Sequence, residues 1–467
     1  MKNQGVNGWV AFFKNSFREV GKNTKQALTD KGDLIDLPRR HRPKYSIIVL
    51  AVLLSILGFI MVFSAAPGLF TNIYTNDATS CQIFGFLPSE NIIDCKMTEF
   101  LITQSVYLVA GIVALMVSAK LSINFWRKVV LPILIVAFGA SIILFVAHLA
   151  GWSMAVESGG AVRWLKLGPI SFQPAEFMKF AIMLFAASFL ATAHQKGLLN
   201  SIRKTLLPLL VVVIAGLFLV VVLQSDLSSG IVIFAIVVAQ MIISNMRWRN
   251  IISVLALFIS AGVVAVILFP YRLGRIMDFF STQCIPGQDL EQICSALMSM
   301  GSGGLLGRGL GQSLSVFWVP QVMDDAVFSL VGETFGFFGA VAVLIIFGAL
   351  IFRIINLANY LPNMYLRLLT AGAFGWIATQ TVINIGAFTN SIPLTGITLP
   401  FISSGGSSLL CVMATMGVVF GVSRYTSHSK VITKKGADNE DFVRRWGLGR
   451  TRYASGGDYL GDPKAGS

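Results

Sequence analysis

"VPQVMDDAVFSLVGE", residues 319–333, carries three carboxylates at the edge of a strongly apolar run. Asp324 and Asp325 are adjacent at its mouth, and Glu333 lies further in. On a helix rising 1.5 Å per residue, Glu333 would sit about 12 Å deeper. A carboxylate at membrane depth pairs with a buried cation or lines a polar cavity, and Lys179 is the candidate cation. An aspartate at the mouth can cap the helix that follows, because a helix amino end favours an anion. One of the pair can cap while the other does chemistry.

Five further stretches hold residue types able to do chemistry. In "GGAVRWLKLGPISFQPAEFMK", residues 159–179, Trp164 beside Arg163 and Lys166 reads as a segment lying on the membrane surface. Pro174 can open the next span. Glu176 and Lys179 then share a helix face at i,i+3, as an ion pair or as functional intramembrane charges. "QSDLSSG", residues 224–230, places Asp226 at a helix junction, where capping is the alternative to function. Arg272 and Arg275 in "PYRLGRI" follow a span; they fit phosphate oxygens in fork geometry or snorkel at the interface. "GSGGLLGRGLGQS", residues 301–313, can bring backbone N–H groups and Arg308 to an anion. It is no Walker A loop, since no Lys-Ser/Thr follows the glycines; a flexible re-entrant loop is the alternative. "NSIPLTGITLPFISSGGSSLL", residues 390–410, is a shaped, non-helical entry to a last span, with Ser407 near its end.

The elements that position these residues follow from composition. Of 467 residues, 55% are hydrophobic and 12% charged, which excludes a soluble domain. Continuous apolar runs of about 17–25 residues are helices that cross a bilayer. The spans run approximately over 45–66, 100–121, 129–151, 174–194, 206–224, 230–244, 251–270, 326–352, 368–388 and 405–423. The sixth is short. The fold class is therefore an all-α polytopic membrane protein of about ten transmembrane helices, with a large extracytoplasmic loop between helices 7 and 8. The polar, basic residues 1–44 read as a tail, followed by a first run long enough to span, rather than as a cleaved signal peptide.

Ten spans put both tails on one side. Of the 36 Lys and Arg, only Lys96, Arg163, Lys166, Lys179, Arg272, Arg275 and Arg308 fall off that side. The positive-inside rule then makes both tails cytoplasmic. The net charge of +14 needs only topology and anionic lipid to explain it, and no nucleic acid. Three outward loops result, roughly 67–99, 152–173 and 271–325. Cys81 and Cys95 share the first, and Cys284 and Cys294 the third, so two short-loop disulfides in an oxidising exterior are expected, with free thiols as the alternative. Cys411 is an inert packing residue of the last span. No CxxC and no zinc-ligand spacing among the histidines suggest a metal.

These motifs, in this order and topology, resemble the SEDS family, the FtsW and RodA proteins, and more closely the FtsW branch. The resemblance covers roughly residues 45–425, leaving a basic amino-terminal tail 1–44 and a mobile tail 426–467. It implies a peptidoglycan glycosyltransferase that polymerises lipid II into glycan strands on the outer membrane face. Asp325 aligns with the family's essential aspartate and would be the general base, with Gly332 and Glu333 following at the family's spacing. Arg272, Arg275 and Arg308 would offset charge on the leaving pyrophosphate, and Glu176, Lys179, Asp226 and Ser407 belong to the same substrate-binding motifs. Its implied partner is a class B penicillin-binding protein, alongside other division or elongation proteins. A divalent cation (Mg or Mn) on the pyrophosphate is compatible with this chemistry, though no carboxylate cluster argues for one.

The chain departs from the family at Gln321, where Glu is usual, at Met323-Asp324, where His-Thr is usual, at Ser225 for Pro, and at Ser404 for Tyr. Asp324 makes a double aspartate and can share the base role. A lipid II flippase and a non-catalytic division scaffold remain the alternatives. The unusual residues crowd the outward half, whereas a flippase distributes polar groups through the bilayer.

Overall fold

The computed structural model describes residues 42–73, 81–83, 87–89, 92–158, 161–167, 170–268, 277, 279 and 292–426. Helices fall on all ten predicted spans: α1 Tyr45–Ile73, α2 Ile92–Lys120, α3 Ile123–Leu149, α4 Pro174–Gln195, α5 over residues 202–223, α6 Leu227–Ile243, α7 Trp248–Leu268, α9 Val327–Ala358, α10 Met364–Phe388 and α11 Gly406–Val422. An extra helix, α8 Gln292–Ser302, lies in the long connection before α9. Among the described residues, eight of these helices are long and apolar enough to cross a membrane; α6 and α7 are shorter apolar helices. The chain is a multi-pass membrane protein.

The bundle is layered by burial. α4 and α11 bury 83% of their most apolar window and α10 buries 72%, whereas α2 buries 17% and α9 22%. The first three form the centre, and the others offer most of their surface to lipid. α11 packs along α2, α10 along α6 and α9, and α3 against α4. The Lys44 N–H donates to Ser423 Oγ at 3.1 Å, so both ends of the described chain meet on one face, the tail face. The opposite loop face carries the motifs.

Two parts of that face differ from expectation. α2 begins at Ile92 rather than near Phe100, so Cys95 and the Lys96–Glu99 pair (3.1 Å) lie on the helix. An antiparallel pair, β1 Cys81–Ile83 with β2 Leu87–Ser89, precedes it. The segment expected to lie on the membrane surface is instead a three-stranded antiparallel sheet: β3 Ala155–Ser158, β4 Ala161–Leu167 and β5 Ile170–Phe172. Val162 and Leu165 pack with Leu144 of α3, next to Ala155 and Phe172, in a small apolar cluster of their own. The sheet therefore seats on the loop-face end of α3.

Candidate active site

The double aspartate sits on one tight turn before α9. The Gln321 carbonyl accepts the N–H groups of Asp324 (3.0 Å), Asp325 (3.2 Å) and Ala326 (3.3 Å), with Gln321 in the left-handed region at φ 51°. The N-cap position falls to Ala326 rather than to either aspartate, so the capping role considered for them does not arise. The turn instead projects both side chains to the loop between α10 and α11.

That loop, residues 389–405, clasps the turn. The Ser404 N–H donates to the Met323 carbonyl at 3.0 Å, and the Ser404 hydroxyl donates to Asp324 Oδ1. Gly396, at φ 64°, comes so close to Asp325 that a Cβ there would lie 3.3 Å from Asp325 Oδ2. Asn384 of α10 is fully buried, and its Nδ2 donates to the carbonyls of Asp325 (2.8 Å) and Ile397 (2.6 Å). Gln380, one turn further in, donates to the Thr398 carbonyl at 2.9 Å. Ser228 of α6 donates to the Thr395 carbonyl. An irregular backbone at this depth has its polar groups satisfied by protein, as lipid requires.

The two aspartates differ in surroundings. Asp325 is half-buried, while Asp324 reaches the surface with its carboxyl hemmed in by protein atoms. That crowding pushes the Asp324 carboxyl above the usual carboxylate range, against the opposing pull of the Ser404 hydrogen bond.

Beneath the loop lies a buried ion pair. Lys179 Nζ is 2.6 Å from Glu176 Oε1 and donates to Gln380 Oε1 at 3.1 Å. Trp376 Nε1 donates to the same oxygen at 2.7 Å, and its ring lies under the ammonium, 5.3 Å from the centroid. The pairing expected from the i,i+3 spacing forms. Lys179 is thus taken, and it is not the partner of Glu333.

Glu333 has a different role. Its carboxylate accepts from the hydroxyls of Ser313 (2.7 Å) and Ser299 (3.3 Å) and from the N–H groups of Leu314 (2.7 Å) and Ser315 (3.1 Å). It is 1% exposed. The anion met by the end of the glycine-rich stretch is therefore the chain's own. The rest of that stretch repairs a broken helix. α9 leaves helical geometry at Gly336, φ 68°. There the N–H groups of Arg308 and Gly309 donate to the carbonyls of Glu333 (3.0 Å) and Thr334 (3.1 Å), and those of Phe337 and Phe338 donate to Gly304 (2.9 Å) and Leu305 (3.3 Å). A Cβ on Gly307 would fall 2.2 Å from the Thr334 carbonyl oxygen. The glycines permit this backbone-to-backbone approach, so the loop is a fitted splint rather than a free flap.

A second polar group surrounds Asp226. One carboxylate oxygen caps α6 through the Ser229 N–H (2.9 Å), and the other accepts from Gln173 Nε2 (3.3 Å). The Gln173 N–H donates to Ser407 Oγ at 3.3 Å. Arg163 of the sheet donates to the Ser225 carbonyl at 3.3 Å. Asp226 and Ser407, far apart in sequence, thus share a partner. Arg308 is exposed and donates from Nε to the Ser302 carbonyl. Arg272, Arg275 and Cys284 lie outside the described residues. Cys294 is disulfide-bonded; for Cys81 and Cys95 only the backbone is described. Cys411 is a buried free thiol. Among the described residues no group of three or more His, Cys, Asp or Glu could hold a metal ion.

Sequence reasoning passed over Asn384, Gln380, Gln173 and Ser299, and marked Ser404 only as a departure from the family pattern. Asn384 and Gln380 carried a readable signal, since two amides inside an apolar span need buried partners. What Ser404 binds could not be read, because its partner is eighty residues away.

With the fold and site in place, the chain's relations are clear. The family described as "Cell cycle protein", that of FtsW, RodA and SpoVE, matches residues 44–428. The chain is 29% identical over 391 residues to stage V sporulation protein E of Bacillus subtilis (strain 168), covering 84% of this chain and 99% of that protein. It is 31% identical over 335 residues to a probable peptidoglycan glycosyltransferase FtsW of Coxiella burnetii, covering 71% and 88%. Among solved structures it resembles a chain reported under "Structural coordination of polymerization and crosslinking by a peptidoglycan synthase complex" (TM-score 0.61, 25% identity, 83% of this chain and 99% of that one). It also resembles the rod shape determining protein RodA of Thermus thermophilus (TM-score 0.55, 25% identity, 83% and 98%). The chain belongs to the FtsW, RodA and SpoVE family.

Proposed function

We propose that this chain is a peptidoglycan glycosyltransferase that polymerises lipid II, with Asp325 as general base. The observation that carries the reading is the double-aspartate turn clasped by the α10–α11 loop, in a family whose relatives are named peptidoglycan glycosyltransferases. Asp325 takes the proton of the acceptor sugar's 4-hydroxyl. The freed oxygen attacks the anomeric carbon of the growing chain, and the bond to undecaprenyl pyrophosphate breaks. Positioned proton transfer of this kind contributes about 10²–10⁴-fold. Arg272, Arg275 and Arg308 offset charge on the departing pyrophosphate. Asp226 and Ser407 are joined through Gln173 and bind substrate from the loop face. Glu176 and Lys179 support the loop from below through Gln380, and Glu333 acts by positioning the turn. Asp324 is the substitute base, restrained by Ser404.

In this reading both termini are cytoplasmic and the site faces outward from the bacterial cytoplasmic membrane. A class B penicillin-binding protein crosslinks the product, and other division or elongation proteins complete the assembly. The carboxylate of Asp324 meets Ser404, and that of Asp325 faces Gly396. A divalent cation would be held by the pyrophosphate itself, and no step here is routed through it.

The test is glycan-strand synthesis from purified lipid II by the full-length protein in detergent with its cognate transpeptidase, read on a gel. Detergent removes the two compartments that a flippase needs. Polymer formation supports the enzyme; a correctly folded protein that makes none overturns the reading in favour of a flippase or scaffold.

A further inference from the structure

The tail face has an unbalanced charge that the proposed chemistry does not use. Among the described residues, no Asp or Glu lies in a tail-face loop or helix end. Within this basic surface three helices contribute two guanidinium cations and an imidazole. Arg127 stands one turn into α3, Arg367 one turn into α10, and His194 in the last turn of α4. The Arg127 guanidinium lies over the Tyr365 ring, 5.9 Å from its centroid, and His194 lies within reach of the Arg367 charge.

These groups lack counterparts. Nε of Arg127 and Nε of Arg367 are both buried without a hydrogen-bond acceptor. Tyr365 is 2% exposed, and its hydroxyl has no partner. The helix dipole aggravates the imbalance, because cations near a helix amino end are disfavoured. Neither α3 nor α10 has an acidic residue in its first turn. Partly buried guanidinium groups with idle donors call for an anion. At the ends of membrane helices, phospholipid phosphate is the anion at hand, and the guanidinium fork matches its oxygens.

We propose that Arg127, Tyr365, Arg367 and His194 form a binding site for the phosphate of an anionic phospholipid at the tail-face junction of α3, α4 and α10. The two guanidinium groups bracket the phosphate, and the Tyr365 hydroxyl donates to it.

The test titrates full-length, delipidated protein with dioleoyl phosphatidylglycerol, dioleoyl phosphatidylcholine or inorganic phosphate, read by native mass spectrometry and thermal unfolding. Saturable, stabilising retention of phosphatidylglycerol over the other two is expected. Affinity should fall about tenfold or more in Arg127→Gln/Arg367→Gln. It should hold in Arg247→Gln/Arg249→Gln, which removes equal charge from exposed positions on the same face. Tyr365→Phe keeps every charge and should still weaken the lipid. Equal weakening in both double variants would reduce the site to diffuse surface charge and overturn the proposal. So would equal binding of phosphatidylcholine, inorganic phosphate matching the lipid, or no saturation.

Discussion

Asp324 and Asp325 are neighbours held by one carbonyl, yet Ser404 engages the first and Gly396 abuts the second. Their titrations should separate accordingly. A carboxyl raised by crowding adds stability while protonated and loses it as pH climbs from the ordinary aspartate range through the raised folded value. Asp324→Asn should therefore flatten the fall in thermal stability over that window. Ser404→Ala removes the hydrogen bond that opposes the shift, so it should move the fall to higher pH. If Asp325 is the base, the acid limb of the activity profile stays in place in Ser404→Ala, and its displacement would assign the base to Asp324. Glu333 poses a different residue-scale test. Glu333→Gln sets an amide N–H₂ against donors that now meet oxygen. A loss of about 1–3 kcal/mol is expected, with faster proteolysis within residues 301–318; unchanged stability would contradict the splint.

At the scale of elements, α9 is the informative case. The aspartate turn leads into it, its second turn carries Glu333, and its break at Gly336 is covered by the glycine-rich stretch. Gly336→Ala forces a side chain into a positive-φ conformation that glycine alone adopts readily (φ 68°, ψ −166°), a strain of roughly 1–3 kcal/mol. It also places a Cβ 2.4 Å from the Gly307 nitrogen, so the total loss should exceed the strain alone, as thermal unfolding would show. α4 and α10 are joined by the buried pair. Lys179→Met leaves Glu176 charged without its cation, at a cost of about 3–5 kcal/mol. Glu176→Gln/Lys179→Met together should be milder than Lys179→Met alone. A double variant worse than either single would mean that the two side chains are not acting as a pair.

For the whole molecule, what the sequence made legible follows from how local each signal is. Continuous apolar runs declared all ten helices, and the i,i+3 spacing declared the Glu176–Lys179 pair. The sheet over 155–172 was hidden because its strands are short and its apolar cluster draws on Leu144 of another helix. The use of the glycine stretch was hidden too, because its partners are backbone carbonyls of a helix not yet known to break. The Ser404–Asp324 contact joins two positions where this chain departs from its family's pattern, and only the folded loop brings them together. All these pieces converge on one claim, that the clasped Asp325 is the base of strand polymerisation. It is tested most directly by comparing lipid II polymerisation by wild type, Asp325→Asn and Asp324→Asn with the cognate transpeptidase. The account predicts polymer from wild type, a loss of about 10²-fold or more in Asp325→Asn, and substantial activity in Asp324→Asn. Polymer from Asp325→Asn at the wild-type rate, or loss confined to Asp324→Asn, would contradict it.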